Sequence, residues 1–240
     1  MHLKDRLAFA ADLPLNESLS IFGHIAPHVG WAKVGLSLFV EHGPTAVRAF
    51  QGLGAKVFLD LKLHDIPNTV EGAARNAARL GVGLLTVHAS GGESMLKAAL
   101  RGALEGAQDA KCAPPRILAV TVLTSMKPEE LQAVGVSASP EGQVAKLARL
   151  AQQAGIDGVV CSAREAALLR GTLGPSAFLC TPGIRPDGAA THDQTRVETP
   201  AAAIAAGSNL LVVGRPLYEA SSPAEASRAI LLEMQSALSR

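Results

Sequence analysis

The sequence predicts an α/β protein, a (β/α)8 TIM barrel formed by one domain over residues 1–240. Three observations carry this. Short apolar, β-branched segments alternate with longer Ala/Leu segments of helical period. The strand-like segments number eight, the count a closed barrel requires. No Gly-x-Gly-x-x-Gly fingerprint follows the first of them, as a dinucleotide-binding open sheet would show. A doubly wound open sheet also alternates its elements, and periodicity alone does not show closure; the eight even units favour the barrel.

The candidate strands are Leu7–Ala11, Trp31–Leu36, Val57–Leu61, Leu84–His88, Arg116–Leu123, Gly158–Ser162, Ala177–Thr181 and Asn209–Val213. Several are almost wholly apolar, as parallel strands covered on both faces must be. The helical segments carry their own punctuation. Between Thr69 and Leu80, the residues Val70, Ala73, Ala74, Ala77 and Leu80 mark one face, and Gly81 is placed to stop the helix. Ser139-Pro140 reads as an N-cap and first turn, with Val144, Leu147 and Ala151 facing inward before Gly155. Thr199-Pro200 repeats that opening and Gly207 supplies the stop. No Ser/Gly/Pro-rich linker divides the chain.

Composition excludes several classes of function. Lys and Arg total 22 against 21 Asp and Glu, interspersed without a basic block, so nucleic acid is not an expected partner and any bound phosphate is a single small one. Aromatic residues make up only 3%, too few for a platform that stacks bases. Apolar runs such as Ala202–Ala206 and Leu210–Val213 fall far short of a bilayer span, and Leu7–Ala11 is too short for a signal sequence before Asp12. A soluble, cytoplasmic protein without membrane contact is therefore expected. Cys112, Cys161 and Cys180 form no CxxC or Cys/His cluster, which suits a reducing compartment and predicts no metal site. Cys161 and Cys180 fall in strands and read as small core residues.

In a barrel of this kind the chemistry sits at the C-terminal ends of the strands. Asp12 ends the first strand, and Lys33 lies within or near the end of the second. Asp60 and Lys62 end the third, with Asp65 just beyond; His88 and Ser90 follow the fourth, and Thr124 and Ser125 the fifth. Thr181-Pro-Gly-Ile-Arg185 follows the seventh, and Gly214-Arg215 the eighth. Asp60 and Lys62 are two residues apart, so both point to one face of an extended strand. Acids and lysines crowded at a barrel mouth are tolerable only if the charges alternate in space. Alternation keeps Lys62 protonated and Asp60 ionised. A salt-bridge network that merely braces the strand end would use the same residues.

On the other side of the mouth, Gly214 permits close backbone approach and Arg215 offers a fork to phosphate oxygens, ahead of a short helix at Pro216-Leu217-Tyr218. A solvent-facing Arg after a Gly turn is the plain alternative. The breaker-rich stretch from Pro182 to Ala189 runs towards Gln194 and reads as a lid, with Arg185 and Gln194 as polar contacts. His88 reads as a packed or hydrogen-bonded strand-end residue, and no Gly-x-Ser-x-Gly elbow is present.

The segment Phe58-Leu-Asp60-Leu-Lys62-Leu-His-Asp65-Ile-Pro-Asn-Thr69 resembles the Asp-x-Lys-x-x-Asp-Ile-x-x-Thr signature of the orotidine 5'-phosphate decarboxylase family, without a gap. Supporting segments extend over nearly the whole chain: Lys33-Val-Gly35, Thr86-Val-His-Ala89, Val120-Thr-Val-Leu-Thr-Ser125, Thr181-Pro-Gly-Ile-Arg185, Asp193-Gln-Thr-Arg196 and Val213-Gly-Arg-Pro216. The resemblance implies decarboxylation of orotidine 5'-phosphate to UMP, the last step of de novo UMP synthesis, without a cofactor. It implies a homodimer in which Asp65 and Thr69 reach the partner's site. Lys62 would be the proton donor, with Asp60 near the substrate carboxylate and Lys33 and Asp65 completing the network. Asp12 and Lys33 would contact the ribose, and Thr124 and Ser125 would lie near the base. Gln194, Gly214 and Arg215 would bind the phosphate, and Arg185 would belong to the closing loop. A related sugar-phosphate barrel would be expected to show metal ligands in place of the Lys62–Asp65 unit, and a non-catalytic nucleotide sensor would bind UMP without turnover.

Overall fold

Eight parallel strands follow one another in sequence order and close into a barrel in a computed structural model, which describes residues 2–186 and 198–239. They are β1 (Leu7–Ala11), β2 (Trp31–Gly35), β3 (Lys56–Leu63), β4 (Leu84–His88), β5 (Arg116–Val120), β6 (Gly158–Val160), β7 (Phe178–Thr181) and β8 (Leu210–Val213), with β8 pairing back onto β1. β1 and β4 coincide with the segments expected from sequence, and the others differ at their ends. β5 stops at Val120, three residues early, because its neighbour β6 has only three residues and offers no ladder partner beyond Val160. The apolar run continues past the strand, and Val122 stays buried.

The near-continuous apolar strands are explained by two cores. Ala8, Ala10, Phe58, Leu84, Leu118, Cys180, Leu210 and Val212 fill the barrel interior, with Trp31, Val160 and Phe178 packed against them. Their strand neighbours Phe9, Leu59, Leu85, Ala119, Leu179 and Leu211 join the larger core shared with the surrounding helices. Each strand thus buries both faces, as alternation across a covered strand requires. Cys161 and Cys180 are fully buried free thiols. Burial, with Glu165 adding to it, pushes Cys161 up to about 12, so the thiol stays protonated and unreactive.

Helix punctuation follows the sequence. Ser139 Oγ accepts from the Gly142 amide at 3.2 Å, and Thr199 Oγ1 from that of Ala202 at 3.2 Å. Gly81 and Gly155 take φ of 69° and 91° just past their helices, a region open to glycine. The helix expected over Thr69–Leu80 runs Pro67–Arg79, and its buried residues are Val70, Ala74, Ala77 and Ala78. Ala73 and Leu80 are only partly buried; the helix packs against the Gly92–Ala110 helix as well as the barrel.

That second contact is unusually close. A Cβ on Gly102 would collide with the Glu71 carbonyl, and one on Gly106 with that of Arg75. Ion pairs Arg101–Glu71, Arg75–Glu105 and Arg79–Asp109 flank the seam. Gly102→Ala is expected to force the backbones apart and lower stability by about 1–3 kcal/mol, read as a lower denaturation midpoint. Gly171→Ala, at an exposed helical position where an added methyl would meet no neighbour, should be neutral or slightly stabilising. Equal midpoints for the two variants would contradict the close-packing account. Among the described residues, no helix is long and apolar enough to cross a membrane.

Candidate active site

The centre of the strand-end mouth is an irregularity in β3. Against β2 the register is regular, with Val34 opposite Leu59 and Gly35 opposite Asp60. Against β4 it jumps, from Leu59 opposite Leu85 to Leu63 opposite Val87. Asp60, Leu61 and Lys62 therefore all oppose Thr86, a bulge that re-aims side chains. Lys62 sits at φ 51°, in the left-handed region that costs a side-chain-bearing residue about 1–2 kcal/mol. The simple extended strand expected from sequence is corrected here, although its consequence survives: Lys62 Nζ donates to Asp60 Oδ2 at 2.8 Å.

Lys33, in the middle of β2, lies 3.8 Å from Asp60 Oδ2 and 3.1 Å from Asp12 Oδ1. The order in space is Asp12, Lys33, Asp60, Lys62, an alternation of charge running across three strand ends. Asp60 is buried and also accepts from the Thr86 hydroxyl at Oδ1, 2.9 Å away. Burial alone would raise its pKa. The charges of Lys33 and Lys62, with the bonds from Lys62 and Thr86, outweigh that and hold it below the usual aspartate value. Asp60 is therefore a fixed anion at neutral pH. His88 lies partly buried, its ring 5.4 Å from that of His64. Burial, then His64 and Lys62, lower its pKa despite Asp60, so the ring is neutral at pH 7.

These charges face a cavity of about 260 Å³. Asp12, Lys33, Asp60 and Lys62 line it together with Gly214, Arg215, Tyr218 and the stretch Pro182–Arg185; Phe58, Val160, Cys180 and Val212 contribute its apolar surface. Thr124 also lines it. Gly214 has little room, since a Cβ there would lie 3.3 Å from Ala10 Cβ and 3.5 Å from Tyr218 Cε1. The short helix expected after it runs Arg215–Tyr218. Arg185 is buried at the cavity edge, and its amide bonds to the Glu198 carbonyl at 3.0 Å.

Other expected site residues stand apart. Ser125, next to Thr124, is exposed and does not line the cavity. Asp65 and Thr69 are exposed and do not line it either; Asp65 Oδ1 accepts from the Ile66 amide at 2.6 Å. Gln194, with the predicted lid from Asp187 onward, lies outside the described residues. The Lys33–Asp60–Lys62 charges also face a second recess of about 400 Å³, bounded by Pro14, Leu36, Ser37 and Glu41. Two participants lie beyond the site residues expected from sequence. Thr86 is legible there only as a hydroxyl inside an apolar strand with the inward parity of Leu84, and Tyr218 only as part of the short helix. Among the described residues, no group of three or more His, Cys, Asp or Glu is placed to hold a metal ion.

Fold and site define the class: a (β/α)8 barrel whose strand-end cavity is served by alternating aspartates and lysines. Residues 5–230 match the model of the orotidine 5'-phosphate decarboxylase / HUMPS family, and the chain belongs to that family. The orotidine 5'-phosphate decarboxylase of Anaeromyxobacter sp. (strain K) is 54% identical over 231 residues, covering 96% of this chain and 98% of the relative. That of Moorella thermoacetica is 47% identical over 237 residues, covering 98% and 94%. The crystal structure of orotidine 5'-phosphate decarboxylase from Lactobacillus acidophilus superposes with a TM-score of 0.84 at 40% identity, covering 96% of this chain and 99% of that one.

Proposed function

We propose that this barrel decarboxylates orotidine 5'-phosphate to UMP and carbon dioxide, the last step of UMP synthesis, in the cytoplasm and with its side chains alone. The observation that carries the reading is the Lys62 ammonium, 2.8 Å from Asp60, lining the same cavity as Arg215. As the bond to the departing carboxylate breaks, an electron pair is left on C6 of the pyrimidine. Preorganised charge is the means of stabilising it, and the Lys62 ammonium delivers the proton that ends the reaction. Asp60 pairs with Lys33 and Lys62 and opposes the substrate carboxylate. Asp12 and Lys33 hold the ribose, Thr124 and Ser125 the base, and Gln194, Gly214 and Arg215 the phosphate. Arg185 belongs to a loop that closes over the ligand.

The reading includes a homodimer with Asp65 and Thr69 in the partner's site. Both are exposed and neither lines its own cavity. The second recess leaves Lys33 and Lys62 approachable from outside. Leu36, which borders it, is 52% exposed, and Val40 and Ile66, within four residues of its lining in sequence, are 82% and 66% exposed, apolar surface of the kind an interface covers.

The test is loss of the ultraviolet absorbance of orotidine 5'-phosphate on incubation with the protein. Folded, soluble protein without turnover would sink the reading. In the same assay Arg215→Ala should lower kcat/KM for the phosphorylated substrate by roughly 10²-fold or more, through the lost charge-assisted bonds to phosphate. Orotidine, which lacks the phosphate, should lose far less. Equal losses with both substrates would remove Arg215 from the phosphate site.

A further inference from the structure

Thr86 is fully buried in β4, and a buried hydroxyl must find partners. It has two, both on the bulge of β3. Its Oγ1 donates to Asp60 Oδ1 at 2.9 Å and accepts from the Lys62 amide at 2.9 Å. Thr86 is the single β4 residue opposite the Asp60–Lys62 bulge, so the Lys62 amide has no regular ladder carbonyl to meet. The hydroxyl takes the place of that carbonyl. One atom thus ties both ends of a three-residue turn whose last residue is held in the left-handed region.

We propose that Thr86 is a positioning residue for the reaction: its hydroxyl fixes the β3 bulge and thereby sets Lys62 Nζ against Asp60 and the reacting carbon. The assignment of chemistry to Lys62 and Asp60 rests on the function proposed above. The two lysines both address Asp60 Oδ2, whereas Thr86 addresses Oδ1. Both oxygens of the carboxylate are therefore held. Without the hydroxyl, a buried carboxylate oxygen and a strained amide each lose a partner. The strain at Lys62 is then free to relax towards extended backbone, which would swing the ammonium away. Asp60 is faced by Lys33 from β2, Lys62 from β3, and His88 and Cys180 from β4 and β7, with Asp12 beyond Lys33. The hydroxyl is a neutral contact among these charged and titratable groups, so its removal alters geometry and hydrogen bonding while leaving the site's formal charge unchanged.

Thr86→Val keeps the shape and deletes the hydroxyl; Thr86→Ser keeps the hydroxyl. Thr86→Val is expected to lower kcat by about 10- to 100-fold, the scale of a small misplacement of catalytic groups, with UMP affinity changed by about threefold at most. Thr86→Ser should recover most of the loss. Losing a bond to the ionised carboxylate raises the pKa of Asp60, so the acid limb of kcat/KM should move to higher pH. The ¹³C NMR titration of the Asp60 carboxyl in the free protein should move the same way. Should Val hinder folding, Thr86→Ala carries the same comparison. A hydroxyl-less variant with wild-type kcat and an unmoved Asp60 titration overturns the proposal. So does a loss shared equally by kcat and UMP binding that Ser fails to restore, the pattern of a packing defect. Failure of the wild-type protein to turn over orotidine 5'-phosphate would remove the proposed function instead, and the Asp60 titration would still decide whether Thr86 holds the carboxylate.

Discussion

Lys62→Ala is expected to lower kcat by roughly 10⁴-fold while UMP still binds. The size follows from two losses at one position: the proposed proton donor, for which about 10²–10⁴ is typical, and the cation proposed to stand where negative charge develops. The groups proposed to bind the phosphate, Arg215 among them, are untouched, so affinity for a product nucleotide should persist. Asp60 gives the same variant a second signature. In the intact site its folded pKa is depressed, so its contribution to stability is fully present above the ordinary aspartate value of about 3.9 and is lost as pH falls through the lower folded value. Removing Lys62 takes away the nearer of its two cations and leaves Lys33 at 3.8 Å. The Asp60 pKa should rise, and acid unfolding should begin at higher pH than in the wild type. Turnover by ultraviolet absorbance, UMP binding by calorimetry and acid unfolding by circular dichroism check the three parts. Near-normal turnover would remove Lys62 from its assigned role.

How much of this site can be read from the chain alone is decided by which contacts are local. The barrel is legible because each strand is apolar on both faces, and the sequence shows that at Leu84–His88 as plainly as the structure does. Strand ends are less legible, since where β5 stops depends on the length of β6, a property of another segment. Asp60 and Lys62 stand out because ionisable residues are costly in an apolar strand. The bulge that brings them together is not visible, because it is closed by a hydroxyl on the next strand, 24 residues beyond Lys62. The same holds for Gly102 and Gly106: their spacing of four is in the sequence, but the carbonyls of Glu71 and Arg75 that make them necessary lie on another helix. Thr124 and Ser125 show the limit of adjacency, since one lines the cavity and its exposed neighbour does not.

Asp65 is five residues from Asp60, yet in the proposed dimer the two serve different sites, and mixing defective subunits turns that into a gain of activity. Asp60→Ala and Asp65→Ala homodimers should each be severely impaired. In a heterodimer of the two, one site combines both defects. The other joins an intact Asp60 from one subunit to an intact Asp65 from its neighbour. Random pairing at equal concentrations makes about half the dimers mixed, each with one of two sites intact, so about a quarter of wild-type activity should return. If Asp65 served its own barrel, every site in the heterodimer would carry a defect and nothing would return. The geometry favours the first outcome. Asp65 is exposed and anchored to the Ile66 amide, off its own cavity, while Lys33 and Lys62 border a second recess lined also by Leu36 and Glu41. A carboxylate arriving there from a neighbour would extend the Asp12–Lys33–Asp60–Lys62 alternation by one more anion. Zero recovery in a mixture whose heterodimers have been demonstrated would place Asp65 outside the partner's site.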